Sequence, residues 1–492
     1  MPPAEQPRPH PMRSLLILGT AALSFALAQT SLIPAIGDLI STFHTDAAGV
    51  AWTLTGYLLS AAIFTPVLGR LGDMFGKRRM LVIALAVFAA GNVVSALGNS
   101  LEVIVIGRVI QGAGGGIFPL CFGIVRDEFP RDRVRSSIGL ISATAGIGGG
   151  LGLVLGGLLV DNASYHWIFW IGAIVAALAA IAAELLIPES PIRTPGRVDI
   201  RGALILGVGL SLPLYAIAQA NRWGWGSVKT LGLIAAGLAI LAVWVAVELR
   251  TDEPLADIRT LKRPPVLMTN IATLLTGFGM FGSFILIPQL AEAPASSGYG
   301  FGAGATHAGL LMVPGSLTML VAGPFSGVLG NRFGSKVPLA VGGFVTAAGL
   351  LLIALAHSTQ IEVLLFTIVM FGGIGLAFAA MPNLIVDAVP QAMTGEATGF
   401  NALVRSVGSS LGSQVSASIL AGSIAASGQL PTDGSFRTAF AISAGVALVA
   451  GAMALLIPIA RDEDPDQHRH LDRADELGVS TPLGEPAYGM ER

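Results

Sequence analysis

The chain has 492 residues, 53% of them hydrophobic and 12% charged, with a formal net charge of −2. Soluble domains carry roughly 25% charged residues, so an ordinary soluble domain is excluded and a membrane protein is indicated. The single cysteine, Cys121, excludes an intrachain disulfide framework. Arginine outnumbers lysine 24 to 4, which fits a GC-rich bacterial genome.

A membrane-spanning helix needs about 20 mostly apolar residues. Fourteen such runs are read in chain order, near 14–36, 50–69, 80–98, 101–124, 136–160, 165–187, 202–220, 228–249, 266–290, 305–329, 337–356, 361–386, 397–422 and 435–457. They are apolar on all sides, whereas barrel strands would alternate over about 10 positions. The fold class expected is therefore an all-α integral membrane protein with 14 transmembrane helices. The first run, "RSLLILGTAALSFALAQ", also has the form of a signal peptide, with Ala26-Leu27-Ala28 as a cleavage site. With the N-terminus placed in the cytoplasm, 23 of the 28 Lys and Arg fall on the cytoplasmic side. Arg222, Lys229 and Arg437 fall outside, and Arg108 and Arg405 lie within spans. Both termini are thus expected to be cytoplasmic.

The two ends of the chain resemble each other. Gly112, Gly115, Asp127, Pro130, Gly139, Gly148 and Gly152 match Gly372, Gly375, Asp387, Pro390, Gly399, Gly408 and Gly412, each 260 residues on. Pro66, Gly72, Phe75 and Gly76 match Pro324, Gly330, Phe333 and Gly334 at an offset of 258. "SLIPAI" at 31–36 resembles "ILIPQL" at 285–290, so the first span is retained as a helix rather than a leader. The organisation expected is an N-terminal tail at 1–13 and a six-helix bundle at 14–187. A linker with two extra helices follows at 188–265, then a second six-helix bundle at 266–457. The tail at 458–492 is polar, charged and expected to be disordered. Parallel repeats with a site between them are a transporter architecture.

Between the second and third spans lies "GRLGDMFGKRRM" at 69–80. A phosphate loop would need glycine at 71 and Ser or Thr after the lysine; Leu71 and Arg78 stand there, and no strand precedes them. No histidine cluster with metal-ligand spacing occurs. The chain is not expected to be an enzyme, and no cofactor or metal is expected.

These motifs carry a family resemblance over about residues 14–457. "GRLGDMFGKRR" resembles the signature loop of the major facilitator superfamily. "RVIQG" at 108–112 and "GIGGGLGLVLGG" at 146–157 resemble the span-four and span-five motifs of its drug:proton antiporters. "WIFW" at 167–170 and the fourteen runs point to the fourteen-helix, multidrug-efflux branch. The chain departs from that pattern at Met74, at Gly152-Leu153 and at Ala28-Gln29-Thr30, where many members have Arg, Gly-Pro and a mid-span carboxylate. The resemblance implies two bundles rocking about a central cavity in the plasma membrane. It implies export of amphipathic or drug-like small molecules, with protons as partner. The other partners expected are the lipid bilayer and no nucleic acid, the chain acting as a monomer. The alternatives are a facilitator or importer of a small metabolite on the same fold, and a transport-dead membrane sensor.

The resemblance also implies a conformational latch of Gly69, Gly72, Asp73, Gly76, Lys77, Arg78, Arg79 and Asp127. Asp73 would meet a helix N-terminus in the other half, where a carboxylate is favourable, and the basic residues would pair with Asp127. The second copy has Asn331 and Ser335 for Asp73 and Lys77, so its latch is expected to be weaker. Arg108 and Arg405 are costly inside a membrane; each either snorkels to the surface or faces the cavity, Arg108 helped by Gln111. Gln29, Thr30, Asp38, Tyr57, Gln289, Asn383 and Asn401 complete the candidate substrate or proton pathway, though helix packing alone would explain several. Glu292, His307, Asp127 and Asp387 are further proton candidates. Gly148, Gly152 and Gly156 share one helix face, as do Gly408 and Gly412, and are read as packing surfaces that can also slide.

Overall fold

The computed structural model describes residues 11–45, 47–190, 193, 199–251, 254, 256–427 and 430–458. The remainder of the two expected tails lies outside the described residues. Among the described residues, fourteen helices of twenty or more residues follow one another. We number them α1 (Pro11–Thr30), α2 (Ala47–Phe75), α3 (Lys77–Ala96), α4 (Leu101–Glu128), α5 (Arg131–Asn162), α6 (His166–Leu186), α7 (Ile200–Trp223) and α8 (Val228–Glu248). The series continues with α9 (Pro264–Glu292), α10 (Ala305–Phe333), α11 (Lys336–Leu355), α12 (Gln360–Ala388), α13 (Thr394–Ser427) and α14 (Asp433–Leu455).

Among the described residues, 12 helices are long and apolar enough to cross a membrane. The fourteen expected spans are therefore met by twelve on this measure. Of the other two, α13 is long enough but too polar, and α7 enters among the described residues as the shorter apolar stretch Arg201–Ile217. α13 carries Asn401, Arg405 and a series of serines.

Helix ends follow local chemistry. Gly76 (φ 108°) and Gly334 (φ 87°) occupy equivalent turns in the two copies, in a conformation that only glycine adopts freely. At the start of α12, Thr359 accepts from Glu362 N (3.2 Å) while Glu362 accepts from Thr359 N (3.0 Å), a reciprocal capping box. Thr359→Val is expected to lower stability by about 1 kcal/mol. The check is a lower thermal midpoint with unchanged transport. α4 is interrupted by a 3₁₀ turn at Gly112–Gly116, where added side chains would strike Ser60, Thr65, Leu68, Phe25 and Phe88. Proline interrupts α2 (Pro66), α7 (Pro213), α9 (Pro288), α10 (Pro314, Pro324) and α12 (Pro382).

Packing divides into two large apolar cores. One is built chiefly from residues of α1–α6 around Phe25, Phe88, Phe118 and Phe122, with Val386 of α12. The other is built chiefly from α9–α14 around Phe284, Phe371, Phe436 and Phe440. Two long crossings join these halves, α5 against α10 and α2 against α13. Glycine permits both. A Cβ on Gly139 would strike the Gly323 carbonyl, and one on Gly69 would strike the Gly395 carbonyl. α7 and α8 pack on each other, and α7 also lies against α2 and α13. Trp244 stacks on Phe400 of α13 (ring centroids 6.2 Å apart). α8 turns most of its surface outward through Leu231, Leu238 and Val243, as a lipid-facing helix would.

Candidate functional site

One end of the helix assembly carries the basic turns between helices, and a cluster of buried ion pairs lies there. α2 ends at Phe75 and α3 begins at Lys77, so the tight turn at Gly76 brings Asp73 beside Lys77. The Asp73 carboxylate accepts from Gly395 N (3.3 Å) and Glu396 N (3.0 Å), the first turn of the 34-residue α13. Lys77 Nζ lies 3.4 Å from Asp73 and 2.7 Å from Asp127, with all three side chains 1% exposed or less. Gln391 donates to Asp127 (3.1 Å), and Arg126 donates to the Val389 carbonyl (2.9 Å). Arg70 pairs with Glu396 (3.5 Å), which accepts from Asp257 N (2.6 Å). The cluster thus ties α2, α3 and α4 to the start of α13 and to the segment before α9.

The other latch candidates are placed differently. Arg78 and Arg79 do not reach Asp127. Side chains at 77, 78 and 79 leave a helix about 100° apart, so only one can face α4. The Arg78 guanidinium instead meets Glu184 and Glu189 (3.6 Å each), and Glu189 accepts from the backbone N–H of both Arg78 and Arg79 (3.1 Å each). Gly72 leaves room for Leu120, and Gly76 for the Glu189 carboxylate.

In the second copy Ser335 donates to Asp387 (2.8 Å), in the place of Lys77 and Asp127. The missing cation is supplied from across the crossing. Arg135 donates to Asn331 (3.0 Å) and pairs with Asp387 (3.1 Å). About a third of each side chain in that pair is exposed, against 1% or less for Lys77 and Asp127. Exposed pairs contribute about 0–1 kcal/mol. Arg135 stands 260 residues before Gly395, so the two contacts occupy equivalent places in the repeat.

The two membrane arginines separate. Arg108 neither snorkels nor faces the space between the halves. It is 1% exposed and donates to the carbonyls of Thr53 and Ala28 (3.0 Å each) and to Gln111 (2.9 Å). Its Cζ lies 4.1 Å from the Tyr57 ring centroid. Carbonyls of α1 and α2 thus capture it, and it borders a cleft among α1, α3, α5 and α6.

Arg405 lines a central cavity with residues from seven helices of both halves. Phe25 and Gln29 come from α1, Leu58 from α2, Phe118 from α4 and Ala145 from α5. Met280 and Phe281 come from α9, Phe378 from α12, and Ser406, Ser409, Ser410 and Ser413 from α13. Of the candidate pathway residues, Gln29 and Arg405 reach it. Thr30 bonds the Gly149 carbonyl (2.8 Å), and Asn401 bonds Asn270 and Thr273 (2.9 and 2.8 Å). Asn383 donates to the Arg135 carbonyl (3.2 Å), Gln289 is exposed, and Asp38 sits in a short helix beyond α1. Glu292 and His307 are exposed at the end opposite the basic turns. Hydropathy gave no sign of the serines, although Arg405, Ser409 and Ser413 recur every four residues and so share a helix face.

The packing glycines fall on two surfaces. Gly148, Gly152 and Gly156 lie against α1 at Ala26, Thr30 and Ser31. Gly408 and Gly412 lie against α9 at Leu274 and Phe278, the same relation in the second copy. Gly146, Gly150 and Gly157 face the other way, onto Met319, Ser316 and Thr306 of α10.

Many apolar helices, with a cavity enclosed between two cores, define a multi-pass membrane protein of the solute-carrier type. Residues 18–413 match the family model described as Major Facilitator Superfamily, and the chain belongs to that family. It is 29% identical over 420 residues to the tetracenomycin C resistance and export protein of Streptomyces glaucescens, covering 84% of this chain and 76% of that protein. It is 28% identical over 413 residues to the multidrug resistance protein Stp of Mycobacterium tuberculosis, covering 83% and 76%. The fold is similar to the crystal structure of the human organic anion transporter MFSD10 (TETRAN), with a TM-score of 0.64 and 16% identity over 91% of this chain and 100% of that one. At that identity the likeness concerns the fold alone.

Proposed function

We propose that the protein is a secondary transporter that exports amphipathic, drug-like small molecules across the cell membrane by alternating access. The observation that carries this reading is the similarity, over 84% of the chain, to a protein named for resistance and export. The cavity supports it: aromatic side chains and a few polar groups face one space between the halves. In this reading α7 and α13 also cross the membrane, giving fourteen spans with both termini and the basic turns in the cytoplasm. Residues 14–187 and 266–457 form the moving bundles, with 188–265 as the inserted pair. The closed latch then marks a state shut on the cytoplasmic side. Protons are the counter-ion, and the monomer is the working unit.

The test is reconstitution into vesicles with an imposed pH gradient and a panel of fluorescent substrates. Efflux that collapses when the gradient is dissipated is expected. Flux that ignores the gradient would favour facilitation, and no flux from intact protein would overturn transport.

A further inference from the structure

The central cavity has one formal charge and it is positive. Arg405 is the only Asp, Glu, His, Lys or Arg among its lining residues, and no carboxylate pairs with its guanidinium among the described residues. Its Cζ lies 4.5 Å from the Phe378 ring centroid, and its stem lies against Gly277 of α9. The contact with the ring holds the guanidinium over an aromatic face and leaves its N–H donors for a ligand.

The serines beside it are not competing donors. Ser406, Ser409, Ser410 and Ser413 return their hydroxyl protons to the carbonyls of Ala402, Arg405, Ser406 and Ser410 (2.8–3.0 Å). Their oxygens therefore face the cavity as acceptors. Phe25, Phe118, Phe281 and Phe378 supply aromatic walls.

The repeat shows that the fold does not require this charge. At the offset of 260, Phe378 answers to Phe118, and both line the cavity. At the same offset Arg405 answers to Ala145, which also lines it. The scaffold thus closes with alanine at the corresponding place in the other half. A cation held in a low-dielectric space without a counter-charge is unfavourable until an anion joins it.

Resting on the export reading above, we infer that the transported compounds are aromatic acids. Their carboxylate, or an equally acidic group, pairs with Arg405. Their rings lie among the phenylalanines, and their hydroxyl or amide protons meet the serine oxygens. Lipophilic cations are disfavoured because nothing in the cavity neutralises them and Arg405 repels them.

The test compares two dyes with the same xanthene skeleton, anionic carboxyfluorescein and cationic rhodamine 6G. Binding to the purified full-length protein and transport in proteoliposomes are both measured. The wild type is expected to favour carboxyfluorescein at least tenfold. Arg405→Glu is expected to lose carboxyfluorescein at least tenfold and to gain rhodamine 6G, a gain that misfolding cannot produce. Arg405→Lys keeps the anion preference, with weaker binding. A wild type that prefers rhodamine 6G, or an unchanged preference in Arg405→Glu, overturns the inference while export stands. Carboxyfluorescein bound through Arg405 but never moved supports Arg405 as the anion site and sinks the export reading. Failure to bind or move either dye overturns both.

Discussion

Asp73→Asn is expected to cut transport at least tenfold in reconstituted vesicles while leaving the protein folded and inserted. The substitution keeps the shape and removes the charge. In the closed basic end that charge serves two partners, the first-turn N–H groups of α13 at Gly395 and Glu396 and the ammonium of Lys77. A carboxylate at a helix N-terminus contributes up to about 2 kcal/mol in partly buried sites. Losing that amount moves a two-state balance roughly 30-fold, since each 1.4 kcal/mol is tenfold. The helix N-terminus part of the loss falls on one state only, because that contact joins the two halves and breaks when they separate at this end, whereas the Lys77 contact lies within one half. The balance therefore shifts toward a basic-end-open state. A cysteine at Ala143, buried here against Gly323, reports this shift once Cys121 is replaced by serine. Maleimide labelling should quicken in Asp73→Asn while the thermal midpoint stays near wild type. Wild-type transport rates would remove Asp73 from the latch.

Much of the helical layout was legible because hydrophobic length is a one-dimensional property. The apolar runs begin within a few residues of the helices they mark. They end early where helices continue into polar residues. The run at 136–160 becomes Arg131–Asn162, and 397–422 becomes Thr394–Ser427. Hydropathy marks the apolar part of a helix, whereas hydrogen bonding extends it. The destination of Arg108 was not legible. It depends on carbonyls at Ala28 and Thr53, 80 and 55 residues away in the chain. Two expectations, the surface and the cavity, both assumed that the charge must find water or substrate. A third outlet, the backbone of neighbouring helices, took its Nε and Nη1 donors. The cavity serines were equally hidden, because a serine in a membrane helix commonly bonds its own backbone. The asymmetry of the cavity is nonetheless written in the chain. At the repeat offset Phe378 meets another phenylalanine, whereas Arg405 meets an alanine.

Two glycines on the same helix should fail in opposite ways when enlarged. Gly152 lies against α1, within one half, at Thr30 and the Leu27 carbonyl. Gly139 lies against Gly323 of α10, across the two halves. Valine is no worse a helix former than glycine, so local propensity explains neither effect. At Gly152 the added methyls must be absorbed inside a bundle that keeps its shape, at a cost of about 1–3 kcal/mol. Gly152→Val is therefore expected to lower the thermal midpoint and the yield of folded protein. At Gly139 the clash is relieved when the halves part at the basic end. Gly139→Val is expected to keep a thermal midpoint near wild type, label rapidly at the Ala143 cysteine and lose transport at least tenfold, because the closed state can no longer form. The two readouts separate the roles: stability tracks the contact within a half, and labelling tracks the contact between halves. If both variants lost stability alike, or if Gly139→Val labelled at the wild-type rate, the α5–α10 crossing would be a fixed joint. The opening would then have to lie elsewhere in the fold.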